Sequence, residues 1–234
     1  MDYGPVSGWM ILAIIGAISI SFFTYQVWKA TRLVMIGKPD NRFDNWPARI
    51  KEVATGWLGQ KRVLEDKIAG GIHVLMFWGF LMLSTDMFDL ATANWFSHNL
   101  LPEVIKGPWN LMVETGYTIA LVGCMAALTR RVVFTPDKLK GKSQLEGNVI
   151  LLLIMTITVT SFFVEAGEQG VSSTYEPIGA WVAETIVPST NVVVGAYWAH
   201  MLAIATFLFL IPLSKHMHLV LSLIHISEPT RRYR

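Results

Sequence analysis

Five apolar stretches, each close to the length that a helix needs to cross a bilayer, dominate this sequence of 234 residues. A membrane-crossing α-helix takes about 20 predominantly apolar residues. The stretches occupy about residues 9–28, 72–90, 111–128, 149–164 and 192–213. Only 15% of the residues are charged, whereas charged residues make up about a quarter of a soluble domain. The sequence therefore predicts an all-α integral membrane bundle of five transmembrane helices.

The positions of Lys and Arg predict the orientation of this bundle. Of the 19 basic residues, nine lie between the first and second stretches, five follow the third and four follow the fifth. The connection after the second stretch has only Lys106, and the connection after the fourth has none. Because basic residues concentrate in cytoplasmic loops, we expect the N-terminus outside and the C-terminus in the cytoplasm. A multi-pass protein of the cell inner (cytoplasmic) membrane, in contact with lipid and not with nucleic acid, is predicted.

The first basic connection contains a segment, about residues 44–66, in which apolar residues recur at helical spacing. Trp46, Ile50, Val53 and Trp57 fall on one helical face, and basic residues lie elsewhere. A basic amphipathic helix that carries tryptophans is typical of the membrane interface. A loop packed on the cytoplasmic surface explains the pattern equally well, and docking of a partner protein is a further hypothesis.

Three of the six histidines lie where ionisable side chains in a membrane protein are costly and commonly functional. His200 and His218 are 18 residues apart, which is five helical turns, so they share a face and lie about 27 Å apart along the axis. His73 lies at the start of the second stretch, and His218 lies just beyond the end of the fifth. In the predicted topology both positions are on the cytoplasmic side, at matching depth. Imidazoles from two helices can bind one haem iron from both sides, and such ligation favours electron transfer over oxygen chemistry. The pattern predicts a haem between His73 and His218, with helix-bridging hydrogen bonds as the alternative.

The residues around His73 and the cysteine content both bear on the kind of cofactor. Gly70, Gly71 and Gly79 would let a macrocycle approach the backbone of the second stretch closely. The single cysteine, Cys124, excludes a disulfide framework, a multi-cysteine zinc site and an iron–sulfur cluster held by this chain alone. The candidate cofactor is therefore one that histidine would hold.

His200 lies toward the outer side of the predicted bundle, where a second haem would need another ligand. Ten residues beyond His73, at the expected depth, the sequence has Leu83. Other groups near that depth that could bind iron are Met82, Met87 and His98. The competing hypothesis is that His200 handles protons at a quinol site.

Three carboxylates could share that proton chemistry with His200. They are Asp86, Glu114 and Glu165. Ionisable residues at membrane depth commonly form proton relays, although each of the three could equally be an ordinary residue of the outer interface.

The sequence resembles the gamma subunit of respiratory nitrate reductases, a diheme cytochrome b that oxidises quinol. The five stretches, the positions of the three histidines and the segment Ile211–His218 carry the resemblance, which covers about residues 9–221. The segments Gly59–Asp66 and Gly70–His73 look closer to a sub-branch of that family. In this sub-branch, ferredoxin-like and heterodisulfide-reductase-like iron–sulfur regions follow the cytochrome domain in one chain. Such proteins are thought to link electron-transferring flavoproteins or thiol/disulfide chemistry to membrane quinone.

The resemblance implies that His73 and His218 hold a haem b on the cytoplasmic side. The family's outer haem would use His200 and a histidine at the position of Leu83, so the second haem is implied less strongly than the first. Quinone is implied as substrate. A cytoplasmic iron–sulfur module is implied as partner, either as a separate subunit or as a missing continuation of the chain. Residues 222–234 resemble translated sequencing-adapter DNA, which predicts a non-native tail.

Together these observations predict a membrane cytochrome b that transfers electrons between the quinone pool and a cytoplasmic iron–sulfur oxidoreductase module. The alternative is a haem-free membrane anchor subunit of a respiratory complex, in which the histidines only bridge helices. A transporter is disfavoured because the stretches show no matched pair interrupted by Gly and Pro, which inverted repeats would display.

Overall fold

The computed structural model describes residues 6–36, 46–61, 63–86, 102–134, 142–167 and 171–214. Within these ranges the secondary structure is helical and contains no strand, which confirms the all-α prediction for this part of the chain. The α-helices there are α1 (Val6–Met35), α2 (Trp46–Glu52), α3 (Lys67–Leu83), α4 (Glu103–Val133), α5 (Lys142–Glu165), α6 (Pro177–Thr185) and α7 (Thr190–Leu210).

Four helices in the described ranges are long and apolar enough to cross a membrane. Their spans are Met10–Arg32, Val104–Val133, Gln144–Glu165 and Thr190–Leu213. They coincide with the first, third, fourth and fifth predicted stretches. The second stretch corresponds to α3, which has 17 residues, and residues 87–90 of that prediction lie outside the described residues. Four of the five predicted spans thus have a matching helix by length and composition.

The two residues that directly follow α3 have hydroxyl groups that bond back to the last turn of the helix. The Ser84 hydroxyl donates to the Phe80 carbonyl at 2.6 Å, and the Thr85 hydroxyl donates to the Met82 carbonyl at 2.6 Å. Serine and threonine side chains compete in this way with the backbone hydrogen bonds that would continue a helix. Asp86 follows directly after this turn.

The described residues divide into two compact units. With the gaps given above, residues 6–12 and 72–204 form the first unit, and residues 13–71 and 205–214 form the second. In the second unit the rings of Phe22 and Phe209 stack with their centroids 4.3 Å apart. In the first unit a small core gathers around Cys124, Ala127 and Leu151, all buried. The first unit also contains most of the buried polar side chains.

Small residues bring α3 and α4 into close contact within the first unit. A Cβ atom added to Gly79 would lie 2.5 Å from the backbone nitrogen of Ala120. One added to Gly116 would lie 2.7 Å from the backbone nitrogen of Leu83. Helices of membrane proteins use such small residues to approach each other, because van der Waals contact between backbones replaces the hydrophobic driving force. The contact of Leu83 with Gly116 brings the end of α3 beside the middle of α4.

The predicted amphipathic segment 44–66 is helical in three short pieces within its described residues. The α2 helix is followed by a π-helical turn at Val53–Leu58 and by a 3-10 turn at Val63–Glu65. Trp46 and Ile50 are exposed, whereas Val53 and Trp57 are half-buried. The placement of this segment in the membrane interface stays a prediction.

Candidate functional site

Buried polar side chains concentrate in the first unit, on the helices α4, α5 and α7. Glu114, Tyr117 and His200 are among the least exposed residues of the described chain, at 2%, 3% and 7%. Thr158 and Ser161, three residues apart on α5, are buried as well. Ionisable and polar groups inside membrane helices are costly, so such a concentration marks a candidate functional site.

His200 is held by α5 in one defined tautomer. Its Nδ1 lies 2.9 Å from the carbonyl oxygen of Ile157. A carbonyl only accepts, so in the neutral imidazole Nδ1 carries the hydrogen and Nε2 carries the lone pair. Nδ1 also lies 3.1 Å from the hydroxyl of Thr160, whose own hydrogen is donated to the carbonyl of Thr156. Nε2 is therefore the atom of His200 that can accept a proton or bind iron.

Tyr117 packs beside His200 and points its hydroxyl group at Asp86. The Tyr117 ring meets the His200 ring edge to face, with centroids 6.4 Å apart, and meets the Phe162 ring in the same way at 6.2 Å. The Tyr117 hydroxyl donates to Oδ2 of Asp86 at 2.8 Å. The Leu83–Gly116 contact explains this pairing, because Asp86 follows Leu83 by three residues and Tyr117 directly follows Gly116.

Glu114 is engaged by the start of α6. Its Oε1 accepts the backbone N–H groups of Ile178 and Gly179, both at 2.8 Å. The first N–H groups of a helix have no partner within the helix and carry partial positive charge, so a carboxylate is well suited to this place. Glu114 therefore joins α4 to α6, and this oxygen is occupied by a structural contact.

Two other carboxylates lie near the start of α6. Glu176 precedes the helix, and its Oε2 accepts the backbone N–H of Ser172 at 3.1 Å while its Oε1 accepts from Nδ2 of Asn110 at 2.8 Å. Glu165, at the end of α5, packs against Gly179, where an added Cβ would lie 2.9 Å from the Cβ of Glu165. Of the three carboxylates predicted to assist His200, Asp86 is bonded to Tyr117, whose ring meets the His200 ring edge to face.

The structure describes two of the three predicted haem residues, His73 and His200. His73 lies in α3 and is half-buried, and His200 is buried as described above. His218 lies outside the described residues, so the pairing of His73 with His218 stays a prediction. The other sequence candidates outside the described residues are Met87 and His98.

The glycines predicted to admit a macrocycle are mostly covered. Gly79 lies against Ala120 of α4, and Gly70 lies against the backbone of Val63. Around Gly71, two residues before His73, no atom would lie within 4 Å of an added Cβ. Of these three glycines, Gly71 alone has open space for a cofactor edge.

Metal ligation by a cluster of side chains is not observed in the described ranges. No group of three or more His, Cys, Asp or Glu residues is placed there to hold an ion. A haem is bound differently, since its iron takes four ligands from the macrocycle and one or two from the protein. The donor atoms of His73 and His200 are of the type that haem iron binds.

Sequence reasoning missed Tyr117, Thr160 and the helix α6 as parts of this site. Tyr117 follows Glu114 by three residues, which puts both on one helical face, and this spacing is the only signal in the sequence for it. The α6 helix begins with Pro177, a residue favoured at the first helical position.

Comparisons with known proteins relate the chain to oxidoreductases. It is 26% identical to "EtfAB:quinone oxidoreductase" of Syntrophomonas wolfei over 94% of the chain and 33% of that protein. It is 25% identical to FadF of Bacillus subtilis, described as "Probable iron-sulfur-binding oxidoreductase", over 90% of the chain and 31% of that protein. The chain thus spans about a third of the length of these relatives.

Neither relative is named as a cytochrome b or as a nitrate reductase gamma subunit. No family model matches the chain. No solved structure matches it. The comparisons support a related oxidoreductase family, and the haem stays a prediction from the histidines.

Proposed function

We propose that this chain is the membrane electron-transfer part of a quinone-linked oxidoreductase, which exchanges electrons with a cytoplasmic iron–sulfur module. The observation that carries the proposal is the buried His200, held in one tautomer beside the Tyr117–Asp86 pair. The relatives support it, since one is named a quinone oxidoreductase and the other an iron-sulfur-binding oxidoreductase. Both are about three times as long as the matched region, so the module can be a separate subunit or part of a longer chain.

In this proposal the bundle has five spans in the inner membrane, with the N-terminus outside and the C-terminus in the cytoplasm. The α3 helix serves as the second span. Its 17 residues correspond to about 25 Å of helix at 1.5 Å per residue, which approaches the roughly 30 Å thickness of the hydrocarbon core. The distribution of basic residues supports the orientation.

His73 and His218 are proposed as the residues that would hold one haem b near the cytoplasmic side. When bound there, the haem would accept and release one electron at a time. The open space at Gly71 is compatible with the edge of a macrocycle next to His73. The chain's contribution is to supply two imidazoles and to keep water away from the group, which tunes its potential.

His200 is proposed as a proton-handling residue of a quinol site and not as a second haem ligand. Leu83, which occupies the place of the missing ligand, packs against Gly116. With Nδ1–H bonded to Ile157, Nε2 of His200 is the acceptor for a proton from a quinol hydroxyl group. A histidine suits this task because its ordinary pKa lies close to neutral pH.

The haem-free anchor is the second candidate, and a specific observation favours it. His200 bonds to Ile157 and Thr160 of α5, as a histidine that only bridges two helices would do. The two candidates differ in one measurable property, which is whether the purified chain carries haem.

The experiment is purification of the detergent-solubilised chain from a haem-replete host, with oxidised and dithionite-reduced spectra and a pyridine-haemochrome titration. We expect a six-coordinate b-type spectrum with a ratio near one haem per chain. A folded chain without haem would overturn the cytochrome and support the anchor. A ratio near two would overturn the assignment of His200 to the quinol site.

A further inference from the structure

Asp86 is connected to the interior of the first unit by a buried hydroxyl group. The Tyr117 hydroxyl donates to Asp86 at 2.8 Å, Tyr117 is 3% exposed, and Asp86 is half-buried. The pair therefore joins a position inside the unit to one closer to its surface. Glu114 differs, because one of its carboxylate oxygens is occupied by two backbone N–H groups of α6.

We propose that Tyr117 and Asp86 form a proton relay that serves the His200 site. A phenolic oxygen donates one hydrogen and accepts another through its lone pairs, so it can pass a proton on without a net change in charge. A carboxylate at the other end accepts that proton and exchanges it with water. The inference rests on the proposed function, because the group that supplies or receives the proton on the inner side is a quinol or quinone.

When a quinol is oxidised, one of its protons crosses the Tyr117–Asp86 pair in two coupled transfers. The quinol O–H bond breaks and a new O–H bond forms at Oη of Tyr117, while the original phenolic O–H bond breaks and its proton binds Oδ2 of Asp86. Asp86 then releases the proton to water, and rotation of the Tyr117 hydroxyl group about its C–O bond restores the first state. The pair moves one proton per cycle, and no electron passes through it. The proton of the other quinol hydroxyl group binds Nε2 of His200, so both protons of the quinol have an acceptor. The two electrons of the quinol leave one at a time to a one-electron acceptor, and quinone reduction runs the same steps in reverse.

Rigid packing around Tyr117 supports this role. The ring is held edge to face between His200 and Phe162, and Gly116 lets the end of α3 approach so that Asp86 meets the hydroxyl group. A relay needs such fixed geometry, because proton transfer requires heavy atoms at hydrogen-bond distance. His200 meets the same ring edge to face, so the proposal places the quinol beside Tyr117.

Four ionisable groups besides the pair surround this position. The charges that act on Tyr117 come from Asp86 at the end of α3 and Glu165 at the end of α5. His200 faces the ring from α7, Glu114 lies one turn away on α4 and Glu176 precedes α6. A pH profile that depends on Asp86 must therefore be separated from these neighbours by substituting each member of the pair.

The test compares Tyr117→Phe and Asp86→Asn with the unaltered chain, each in lipid nanodiscs with its haem. Stopped-flow absorption measures haem reduction by decylubiquinol and, separately, by dithionite. We expect each variant to slow the quinol reaction about a hundredfold, within the range for lost proton transfer, and to leave the dithionite reaction unchanged. The unaltered chain should show a pH-dependent quinol rate whose dependence is altered in Asp86→Asn and kept in Asp86→Glu.

A second readout does not depend on the rate of the reaction. Redox-difference infrared spectra with decylubiquinone should contain a carboxylic C=O band that disappears in Asp86→Asn. Thr158→Val serves as the control, since it removes a buried hydroxyl group of the same unit that donates to the carbonyl of Met155. Tyr117→Phe keeps the ring and its packing, and Asp86→Glu provides a second test should Asp86→Asn fold poorly.

The possible outcomes separate a failure of the relay from a failure of the proposed function. Quinol reactivity at the unaltered rate in both Tyr117→Phe and Asp86→Asn would overturn the relay and leave the proposed function standing. Absence of any quinol reaction in the unaltered chain would overturn the proposed function and the relay together. Slowing of the quinol and dithionite reactions by equal factors would also overturn the relay, because it would indicate a structural role.

Discussion

Glu114 of α4 and Gly179 of α6 are joined by a 2.8 Å hydrogen bond between residues 65 positions apart in the chain. The same carboxylate oxygen accepts the N–H of Ile178. Because these N–H groups have no partner in their own helix, the position of the short α6 helix depends on a side chain from a long membrane helix. The α6 helix has nine residues, too few to be stable alone in water.

Removal of this carboxylate is expected to destabilise the first unit. Glu114→Ala leaves the N–H groups of buried Gly179 and half-buried Ile178 without their acceptor, which should lower the free energy of unfolding by about 1–3 kcal/mol. Glu114→Gln should retain much of the stability, because its amide oxygen still accepts. Denaturant titration of the detergent-solubilised variants measures both, and Glu184→Ala on the exposed side of α6 is the control. Equal stability of Glu114→Ala and Glu184→Ala would contradict the contact.

The α3–α4 contact is expected to tolerate no added methyl group. Gly116→Ala would place a Cβ 2.7 Å from the backbone nitrogen of Leu83, and such overpacking costs about 1–3 kcal/mol. Gly195→Ala on α7 is the matched control, since nothing lies within 4 Å of an added Cβ there. Thermal inactivation in detergent should show a lower midpoint for Gly116→Ala and an unchanged or higher one for Gly195→Ala. A neutral Gly116→Ala variant would show that the helices can separate without cost.

Replacement of Val187 by glycine is expected to stabilise the protein. Val187 joins α6 to α7 with φ of 48°, a left-handed conformation that costs a β-branched residue about 1–2 kcal/mol. Its side chain is 70% exposed, so little packing is lost in Val187→Gly. The same change in the helical backbone of α7, Val192→Gly, should destabilise by roughly 0.3–0.5 kcal/mol, the difference between the helix propensities of valine and glycine. Opposite shifts of the unfolding midpoint are expected for these two variants, and shifts in the same direction would refute the strain at Val187.

Haem content is expected to follow the proposed axial ligands. His73→Ala and His218→Ala should each lose the haem, because loss of one imidazole leaves the iron with an open position and weakens its attachment. His216→Ala should keep it, because the proposed pairing gives His216 no part in holding the haem. Pyridine-haemochrome titration of the three purified variants measures the effect. Full retention in His73→Ala and His218→Ala would exclude the pairing.

The role of His200 separates from haem binding in one further variant. We expect His200→Ala to keep one haem per chain and to react slowly with decylubiquinol, because Nε2 of His200 is the proposed proton acceptor. Reaction with dithionite should stay at the rate of the unaltered chain. A fall in haem content would instead identify His200 as an iron ligand.

The long helices were predictable because helix formation in a membrane depends on local composition. The apolar stretches at 111–128 and 149–164 correspond to α4 and α5, and the helices extend several residues further at both ends or at one. In hydrocarbon every backbone polar group must be satisfied within the segment, so a sufficiently long apolar run has few alternatives to a helix. No distant residue enters this argument.

The site could be predicted only in part. His200, Asp86 and Glu114 stood out because charged and ionisable residues are rare among apolar neighbours, and the structure places all three in the first unit. Their separate roles did not follow from the sequence. Glu114 is bound by α6, whereas Asp86 is bound by Tyr117, and each contact joins residues more than thirty positions apart.

Gly79 illustrates the same division between local and tertiary information. A glycine in an apolar helix permits close approach, and the sequence indicates only that something approaches it. Packing of the bundle decides that the neighbour is Ala120 of α4 and not a macrocycle. Composition and charge distribution sufficed for helical spans and candidate ionisable groups, because both depend on the free energy of transferring single segments into lipid. The partners of Gly79, Glu114 and Tyr117 were decided by the tertiary structure, because contact between distant segments depends on which helix faces meet.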